Sequence, residues 1–429
     1  MRHALGLFVV VLPFLSGAVK IRSETPRVAQ PAASSFPDAS LFFNRDRGLA
    51  KFYRSLAELR SGKRKKVRVL HFGDSVILNE RVARDIRAGL MRDFGDGGRG
   101  QIMMHHDGGV VLHGHENRTQ NRFQFFTIPY RHFNHLEPKW LPDVGFTSWT
   151  YRAVRPGQFS EQKGSADSRP FSEITLIARP ARDAAEQSES LRVLNYERGG
   201  ELTSDTFALQ SAGCTVHTMQ FDPTRHLAVG FGDTRSALLD AVFLETQSGV
   251  SYSTFMHKGR HMAWMTAATP ETFECGYKAA APNLVIFQFG INESASIDWQ
   301  AFRFTADHYL LQMREFFGRL RASVPDVSVL LIGPYERLKK TGNVWKSYPA
   351  MEEVRRRQQR VAGELNLAFF DSFGFFGGEG QMRRLTREGL SYGDYSHLND
   401  KGSAILGKEI FRQMCEGYAA YGVESGCAE

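Results

Sequence analysis

Cysteines, long apolar runs and compositional bias are all scarce in this sequence of 429 residues. The four cysteines form no CxxC pair and have no Cys/His spacing typical of zinc sites. Beyond the first 19 residues, no segment is long and apolar enough to span a bilayer. A content of 42% hydrophobic and 23% charged residues excludes a disordered or fibrous chain. The length suggests two globular domains.

The first 18 residues have the pattern of a signal peptide. A short basic start precedes an almost continuous apolar run, and small residues at 16–18 offer a cleavage site. A membrane anchor is the alternative interpretation, but the run is short and Pro13 interrupts it. We therefore expect a secreted bacterial protein, periplasmic or extracellular, with no stable membrane insertion after cleavage.

Export makes disulfides possible, and Cys415 and Cys427 are close enough in sequence to fasten the C-terminal tail. The pairing of these two and of Cys214 and Cys275 stays open, because spacing does not determine connectivity. A net charge of +8 favours association with anionic cell-wall polymers or membrane surfaces. The basic run at 63–68 is interpreted as a solvated loop, so no nucleic-acid partner is expected.

The distribution of apolar runs predicts how the chain is organised. Residues 19–44 are rich in Pro, Ala and Ser and indicate a linker. Strands and helices alternate over 45–104 and again over 249–420, which is typical of a parallel sheet covered on both faces. Between them, residues 105–248 show short β-type segments separated by turns. The predicted fold is a three-layer α/β/α domain with a parallel sheet, plus an inserted all-β, jelly-roll-like domain.

Short apolar runs and amphipathic stretches locate the individual elements of the α/β part. The predicted strands are 67–72, 249–256, 283–289, 327–332 and 367–371, and the predicted helices are 46–60, 76–94, 302–322, 350–365 and 400–417.

Three short motifs carry candidate chemistry. Ser75 follows a predicted buried strand and precedes a helix, a position where ligands collect in α/β sheets. Asn292 follows a later strand and can direct its amide at a developing oxyanion. Asp394 and His397 are three residues apart, so the carboxylate can orient the imidazole and leave its other nitrogen for Ser75. Each motif alone also fits a turn, a helix cap or a surface loop.

Together these motifs resemble the SGNH, or GDSL-like, hydrolases. Gly73-Asp74-Ser75, Gly290-x-Asn292 and Asp394-x-x-His397 match three of the family's four blocks, and Gly259 is assigned to the remaining one. The finer resemblance is to the peptidoglycan O-acetylesterase-like branch, carried by residues 92–100, 289–293, 375–382 and 392–402. Members of that branch have a signal sequence and an inserted β-sandwich that resembles a carbohydrate-binding module.

The resemblance implies a serine esterase that acts on an acetylated glycan, with peptidoglycan the foremost candidate. Ser75 would be the nucleophile, His397 the base and Asp394 its partner, while the oxyanion hole would combine Ser75 N–H, Gly259 N–H and the Asn292 amide. No metal or organic cofactor is implied. An O-acetyltransferase of the same fold is one alternative. A non-catalytic glycan-binding protein is another, mildly favoured by Lys258, which replaces the family's usual Asn before Gly259.

Other candidates have a structural interpretation beside the functional one. Four histidines lie within 105–115 and could bind zinc or copper, but a polar domain edge is the preferred interpretation, so no metal site is assigned. The aromatic stretch 122–151 could stack sugars or fill the sandwich core. Asp74 and Glu293 are assigned structural roles. Nothing in the sequence indicates an oligomeric state.

Overall fold

The computed structural model describes residues 41–104, 115–119, 124–126, 141, 143–153, 158–164, 169–181, 190–197, 200–209, 213–231, 237–421 and 427. The predicted signal peptide, residues 1–18, lies outside the described residues, as does most of the predicted linker. The last residues of the predicted linker are not a linker, because Phe42 and Phe43 form an edge strand of the central sheet.

The strands of the described residues are numbered in chain order. They are β1 (Phe42–Phe43), β2 (Lys66–Gly73), β3 (Gly100–Gln101), β4 (His115–Thr119), β5 (Gln124–Phe126), β6 (Thr150–Arg152), β7 (Phe159–Gly164), β8 (Phe171–Pro180), β9 (Ser190–Glu197), β10 (Gly200–Ala208), β11 (Thr215–Thr224), β12 (His226–Phe231), β13 (Ala237–Glu245), β14 (Gly249–Met256), β15 (Leu284–Gln288), β16 (Ser328–Ile332), β17 (Leu338–Thr341), β18 (Val344–Ser347) and β19 (Ala368–Phe370).

The helices are numbered in the same way. They are α1 (Arg45–Gly48), α2 (Ala50–Arg60), α3 (Ala83–Phe94), α4 (Pro270–Ala280), α5 (Ile291–Asp298), α6 (Ala306–Ser323), α7 (Ala350–Glu364), α8 (Ser372–Phe375), α9 (Gln381–Arg387) and α10 (Asp400–Ala420). Single turns of 3₁₀ helix occur at Met262–Thr266 and Ala301–Arg303, and a longer 3₁₀ segment spans Ser75–Glu80.

The central sheet has the strand order β1-β19-β16-β15-β2-β14. All its pairings are parallel except β1 with β19, which is antiparallel. Strands β15 and β16 are buried along their whole length, as expected for apolar runs covered on both faces. Helices α2, α3 and α10 pack in one layer and α4 to α7 in another. The predicted α/β/α architecture with a parallel sheet is confirmed.

Residues between β2 and β14 contribute two antiparallel sheets. One has the order β10-β9-β12-β7-β4, and the other has the order β11-β8-β13-β6-β5 with β3 beside β13. A shared apolar cluster lies between them, with Leu227 and Val229 from the first sheet and Leu176 and Leu244 from the second. The two sheets therefore pack face to face, as the β-type segments predicted. The boundaries of a separate inserted domain stay a prediction.

Strand β13 is buried on both faces. Leu239 and Leu244 face the cluster between the two sheets, whereas Ala241 and Phe243 join the core of the α/β part. At one end of this strand, Glu245 accepts hydrogen bonds from Arg68 of β2, at 2.8 and 2.7 Å. The second antiparallel sheet is thus packed closely against the α/β part.

Both pairs of cysteines are joined. Cys214 is bonded to Cys275 and so links the segment before β11 to α4, and Cys415 is bonded to Cys427 beyond α10. This pairing is one of those that the sequence left open. Among the described residues, no helix combines the length and apolarity that a membrane span requires.

Candidate active site

Three neighbouring parallel strands end at the same level and bring the candidate residues together. Gly73 of β2 pairs with Met256 of β14 on one side and with Gln288 of β15 on the other. Ser75, Gly259 and Asn292 follow these strand ends by only two to four residues. The sheet therefore places all three segments at its carboxyl edge, where ligands bind in open α/β sheets.

The turn before Ser75 is tightly constrained. A Cβ at Gly73 would lie 2.8 Å from the carbonyl oxygen of Gln288, so the close strand approach requires glycine there. Asp74 is fully buried, and its Oδ1 accepts a hydrogen bond from Val76 N at 2.9 Å. This capping fixes the backbone while leaving the side chain of Ser75 partly exposed.

Ser75, His397 and Asp394 form a continuous chain of hydrogen bonds. Ser75 Oγ lies 2.8 Å from His397 Nε2, and His397 Nδ1 lies 2.6 Å from Asp394 Oδ2. Asp394 Oδ1 also accepts from the backbone N–H groups of Ser396, at 2.9 Å, and His397, at 3.1 Å. This arrangement has the geometry of a nucleophile, a base and an orienting carboxylate.

Hydrogen bonding keeps Asp394 ionised. Partial burial alone would raise the pKa of this carboxyl, but the hydrogen bonds from the His397 ring and from two backbone N–H groups lower it below its ordinary value. A charged Asp394 favours the tautomer of His397 with the proton on Nδ1. Nε2 is then free to accept a proton from Ser75.

Two other histidines near the strand ends are unsuited to act as the base. His71 and His257 are both fully buried, and burial lowers the pKa of each to about 3. The His71 ring is 2.8 Å from the hydroxyl of Tyr252, and the His257 ring packs against Trp149. Both therefore belong to the core, and among the three only His397 contacts Ser75.

The structure brings Gly259 and Asn292 into one hydrogen-bonded unit. Gly259 has a φ of +70°, which favours glycine, and the next residue, Arg260, offers its carbonyl to Asn292 Nδ2 at 3.1 Å. The N–H of His257 donates to Gly73 O at 2.7 Å and ties the same loop to the nucleophile strand. Among the described residues, neither Ser75 N–H nor Gly259 N–H has a protein acceptor.

A pair of buried carboxyls lies beneath the site. Glu293 Oε1 accepts from Met262 N at 2.8 Å and its Oε2 accepts from Gly290 N at 2.9 Å. Burial raises the pKa of Glu293 to about 7. Burial and the nearby Glu293 also hold the pKa of Asp74 well above its ordinary value. These contacts fit the supporting role that the sequence predicted for both residues.

Arg337 is a residue of this region that the sequence did not reveal. Its Nε donates to Ser396 Oγ at 3.2 Å and its Nη1 to the carbonyl of Ile291 at 3.3 Å. It therefore connects the loop of His397 with the helix start that carries Asn292. No local pattern marks this arginine, because both partners are distant in sequence.

The chain after Ser75 departs from the single predicted helix over 76–94. Asn79, Glu80 and Val82 all have positive φ, and the α-helix begins only at Ala83. Fully buried Glu80 pairs with Arg87 at 2.7 Å and contacts Arg99. These ion pairs hold the pKa of Glu80 far below its ordinary value, despite its burial. Because a right-handed α-helix requires negative φ, the three residues with positive φ interrupt the predicted helix.

The remaining candidates are resolved in part. Of the histidine-rich segment, residues 105–114 lie outside the described residues. In the aromatic stretch, Phe146, Trp149 and Tyr151 are buried, so these three belong to the core. Trp140 lies outside the described residues.

Comparison with known proteins supports this architecture. Residues 251–405 match the model of the GDSL-like Lipase/Acylhydrolase family, a region that includes Asn292, Asp394 and His397 but not Ser75. Ser75 lies earlier in the sequence, before the residues that form the two antiparallel sheets between β2 and β14. Residues 251–405 are therefore similar to the GDSL-like lipases and acylhydrolases, within an α/β/α part that has an SGNH-like fold. No curated protein sequence matches the chain.

The chain is similar to several solved structures, with different degrees of overlap. A peptidoglycan O-acetylesterase aligns with 89% of this chain and 99% of its own, with a TM-score of 0.71 and 19% identity. An acetylxylan esterase from Geobacillus stearothermophilus covers 39% of this chain and 73% of its own, with a TM-score of 0.31 and 19% identity. A family two carbohydrate esterase from Clostridium thermocellum covers 65% of this chain and 98% of its own, with a TM-score of 0.29 and 10% identity.

Proposed function

We propose that this protein is an exported serine esterase that removes O-acetyl groups from a cell-wall polysaccharide, with peptidoglycan as the specific substrate. The observation that carries the proposal is the hydrogen-bonded chain from Ser75 through His397 to Asp394. A glycan-binding protein without catalysis would have no need of a serine 2.8 Å from an oriented imidazole.

Acylation is the first half of the proposed reaction. His397 Nε2 takes the proton from Ser75 Oγ as that oxygen attacks the acetyl carbonyl carbon. The carbonyl oxygen becomes an oxyanion, which the N–H groups of Ser75 and Gly259 and the free amide N–H of Asn292 stabilise. Collapse of this intermediate breaks the ester bond, and His397 gives its proton to the departing sugar hydroxyl.

Deacylation reverses the roles of the same groups. His397 removes a proton from water, and the resulting hydroxide attacks the acetyl-serine. The second oxyanion collapses to release acetate, and His397 returns its proton to Ser75. Because the Asn292 amide also binds the Arg260 carbonyl, one of its two N–H groups remains for the oxyanion.

Three observations support a cell-wall glycan as substrate. The fold matches a peptidoglycan O-acetylesterase over nearly its whole length. The net charge of +8 suits an anionic wall polymer, and the first 18 residues have the pattern of an export signal. We also propose that residues 105–248 form an inserted β-sandwich domain that helps to present the polysaccharide.

Release of acetate from purified O-acetylated peptidoglycan, compared with acetylated xylan, tests the proposal. We expect faster release from peptidoglycan and none from either polymer with Ser75→Ala. Full activity of that variant would exclude the serine mechanism, and faster release from xylan would exclude the peptidoglycan assignment. If an added sugar acceptor diverts acetyl from water, the protein is instead a transferase.

A further inference from the structure

A cavity lies beside the loop that carries Asp394 and His397. Its volume is about 600 Å³, which is within the range of roughly 300–1,000 Å³ found for small-ligand pockets. It is built at the carboxyl edge of β16 and β19, where Glu336 follows one strand and Phe373 the other. This is the same edge of the sheet that carries Ser75.

Three aromatic residues and a buried carboxylate line the cavity. Trp345, Tyr348 and Phe373 contribute to its wall. Glu336 also lines the cavity, is fully buried, and accepts hydrogen bonds from Gly380 N at 2.8 Å and Met382 N at 2.7 Å. The cavity therefore combines aromatic side chains with a carboxylate whose position is set by hydrogen bonds to the backbone.

The rim of the cavity carries charges of both signs. Lys346 and Arg383 are exposed cations, and Glu379 is an exposed carboxylate. Such a rim does not select an anion or a cation, but it offers donors and acceptors to hydroxyl groups. Flat aromatic walls suit the apolar C–H face of a pyranose ring. The combination fits a neutral sugar better than a phosphate or an acidic peptide.

One side chain of the cavity wall contacts the loop that carries the proposed base. The ring of Trp345 packs against the ring of Tyr395, with centroids 4.7 Å apart. The Tyr395 carbonyl also accepts from Leu338 N at 3.0 Å, which joins this loop to the hairpin of β17 and β18. Tyr395 is two residues from His397 and has a φ of 53°, a backbone conformation that is uncommon for a residue with a bulky side chain.

We propose that this cavity is a second saccharide subsite, which binds a sugar ring of the same polysaccharide whose acetyl group is cleaved at Ser75. The inference rests on the proposed function for the identity of the polymer. A ring bound against Trp345 would anchor the chain next to the catalytic loop, and would favour polymeric over small esters.

Calorimetric titration with two unacetylated probes, tetra-N-acetylchitotetraose and xylotetraose, tests the subsite without ester cleavage. We expect saturable binding of the first probe, weakened at least tenfold by Trp345→Ala. Tyr421→Ala is the matched control, because Tyr421 is an exposed aromatic at the end of α10, outside the cavity. If neither probe binds, or if Trp345→Ala binds as tightly as the natural chain, the subsite is excluded.

Glu379→Ala is a second variant of the cavity, which tests the subsite even if Trp345→Ala does not fold. Among the described residues, the Glu379 side chain makes no hydrogen bond or ion pair, so its removal should leave the fold intact. We expect a threefold weaker binding of the sugar probe, and unchanged binding would contradict the proposed rim. With the natural chain, acetate release without binding of either probe would exclude only the subsite, and probe binding without acetate release would exclude only the esterase function.

A kinetic comparison separates binding from an indirect effect on His397. Trp345→Ala should lower kcat/KM for an acetylated tetrasaccharide at least fivefold more than for 4-nitrophenyl acetate. Equal losses on both substrates would mean that Trp345 acts through Tyr395, and the subsite proposal would be wrong.

Discussion

Ser75 lies at the end of a buried strand, whereas His397 lies in a loop whose side chains are partly exposed. Asp74 and Glu80, on either side of the serine segment, have no exposed surface. In contrast, the side chains of His397 and Asp394 are 28% and 48% exposed. The core therefore positions the proposed nucleophile, while local hydrogen bonds position the base. Substitutions in the buried serine segment should therefore lower stability, and substitutions in the exposed loop of His397 should lower activity.

The largest effect is expected on the exposed side. His397→Ala removes the proposed base and should lower kcat by about 10⁶-fold, with a change of less than about 1 kcal/mol in the free energy of unfolding. Asp394→Asn should lower kcat by about 10⁴-fold, because the wrong tautomer of His397 would face Ser75. Steady-state kinetics and denaturant titration measure both quantities. If either variant lost as much stability as a core substitution, His397 and Asp394 would not be positioned by local hydrogen bonds alone.

On the buried side, the largest effect should be on stability. Glu80→Gln leaves Arg87 and Arg99 without their buried counter-charge and should destabilise the fold by about 3–5 kcal/mol. The matched control is Glu58→Gln, whose partly exposed pair with Arg64 should contribute less than about 1 kcal/mol. Denaturant titration compares them. Equal losses of stability in the two variants would show that burial does not increase the contribution of the Glu80 ion pairs.

The sequence predicted strands better than it predicted the segment after Ser75. The run 249–256 became β14 with unchanged bounds, because an apolar stretch buried in a parallel sheet is a local pattern. Strand β7 was missed because its sequence, Phe-Ser-Glu-Gln-Lys-Gly, is mostly polar. The break near Glu80 was also missed, because three non-glycine residues with positive φ make it and no Gly or Pro marks this segment in the sequence.

The same distinction applies to the site. Ser75, Asn292, Asp394 and His397 stand in short motifs that a sequence displays directly. Arg337 does not, because its partners, Ile291 and Ser396, are 46 and 59 residues away. The hairpin of β17 and β18 was missed as well, although Gly342-Asn343 at its tip is a recognisable turn signal.

Buried Glu293 predicts a pH dependence of stability on the nucleophile side. Its pKa rises from 4.5 to about 7 in the fold, so the folded state binds more protons than the unfolded state between these values. Stability from this group is present below pH 4.5 and should fall by about 3 kcal/mol as the pH rises to 7. Denaturant titration from pH 4.5 to 7 measures the slope. Glu293→Gln should flatten it, and an unchanged slope would refute the assignment.

Arg337 should have the smallest effect, because it acts on both sides only through orientation. Arg337→Met removes its bonds to Ser396 and Ile291 and should lower kcat about tenfold, with KM little changed. Arg337→Lys retains the charge and one donor and should recover part of the rate. A purely structural role would instead lower stability in both variants while leaving kcat of the folded enzyme unaltered.

Covalent labelling tests the central claim most directly, since it reports the nucleophile itself. The protein is treated with a fluorophosphonate at neutral pH, and the modified residue is located by peptide mass spectrometry. The account predicts one label per chain on Ser75, and a rate of labelling that falls by orders of magnitude with His397→Ala. Labelling of another residue, or equal labelling of Ser75 without His397, would contradict it.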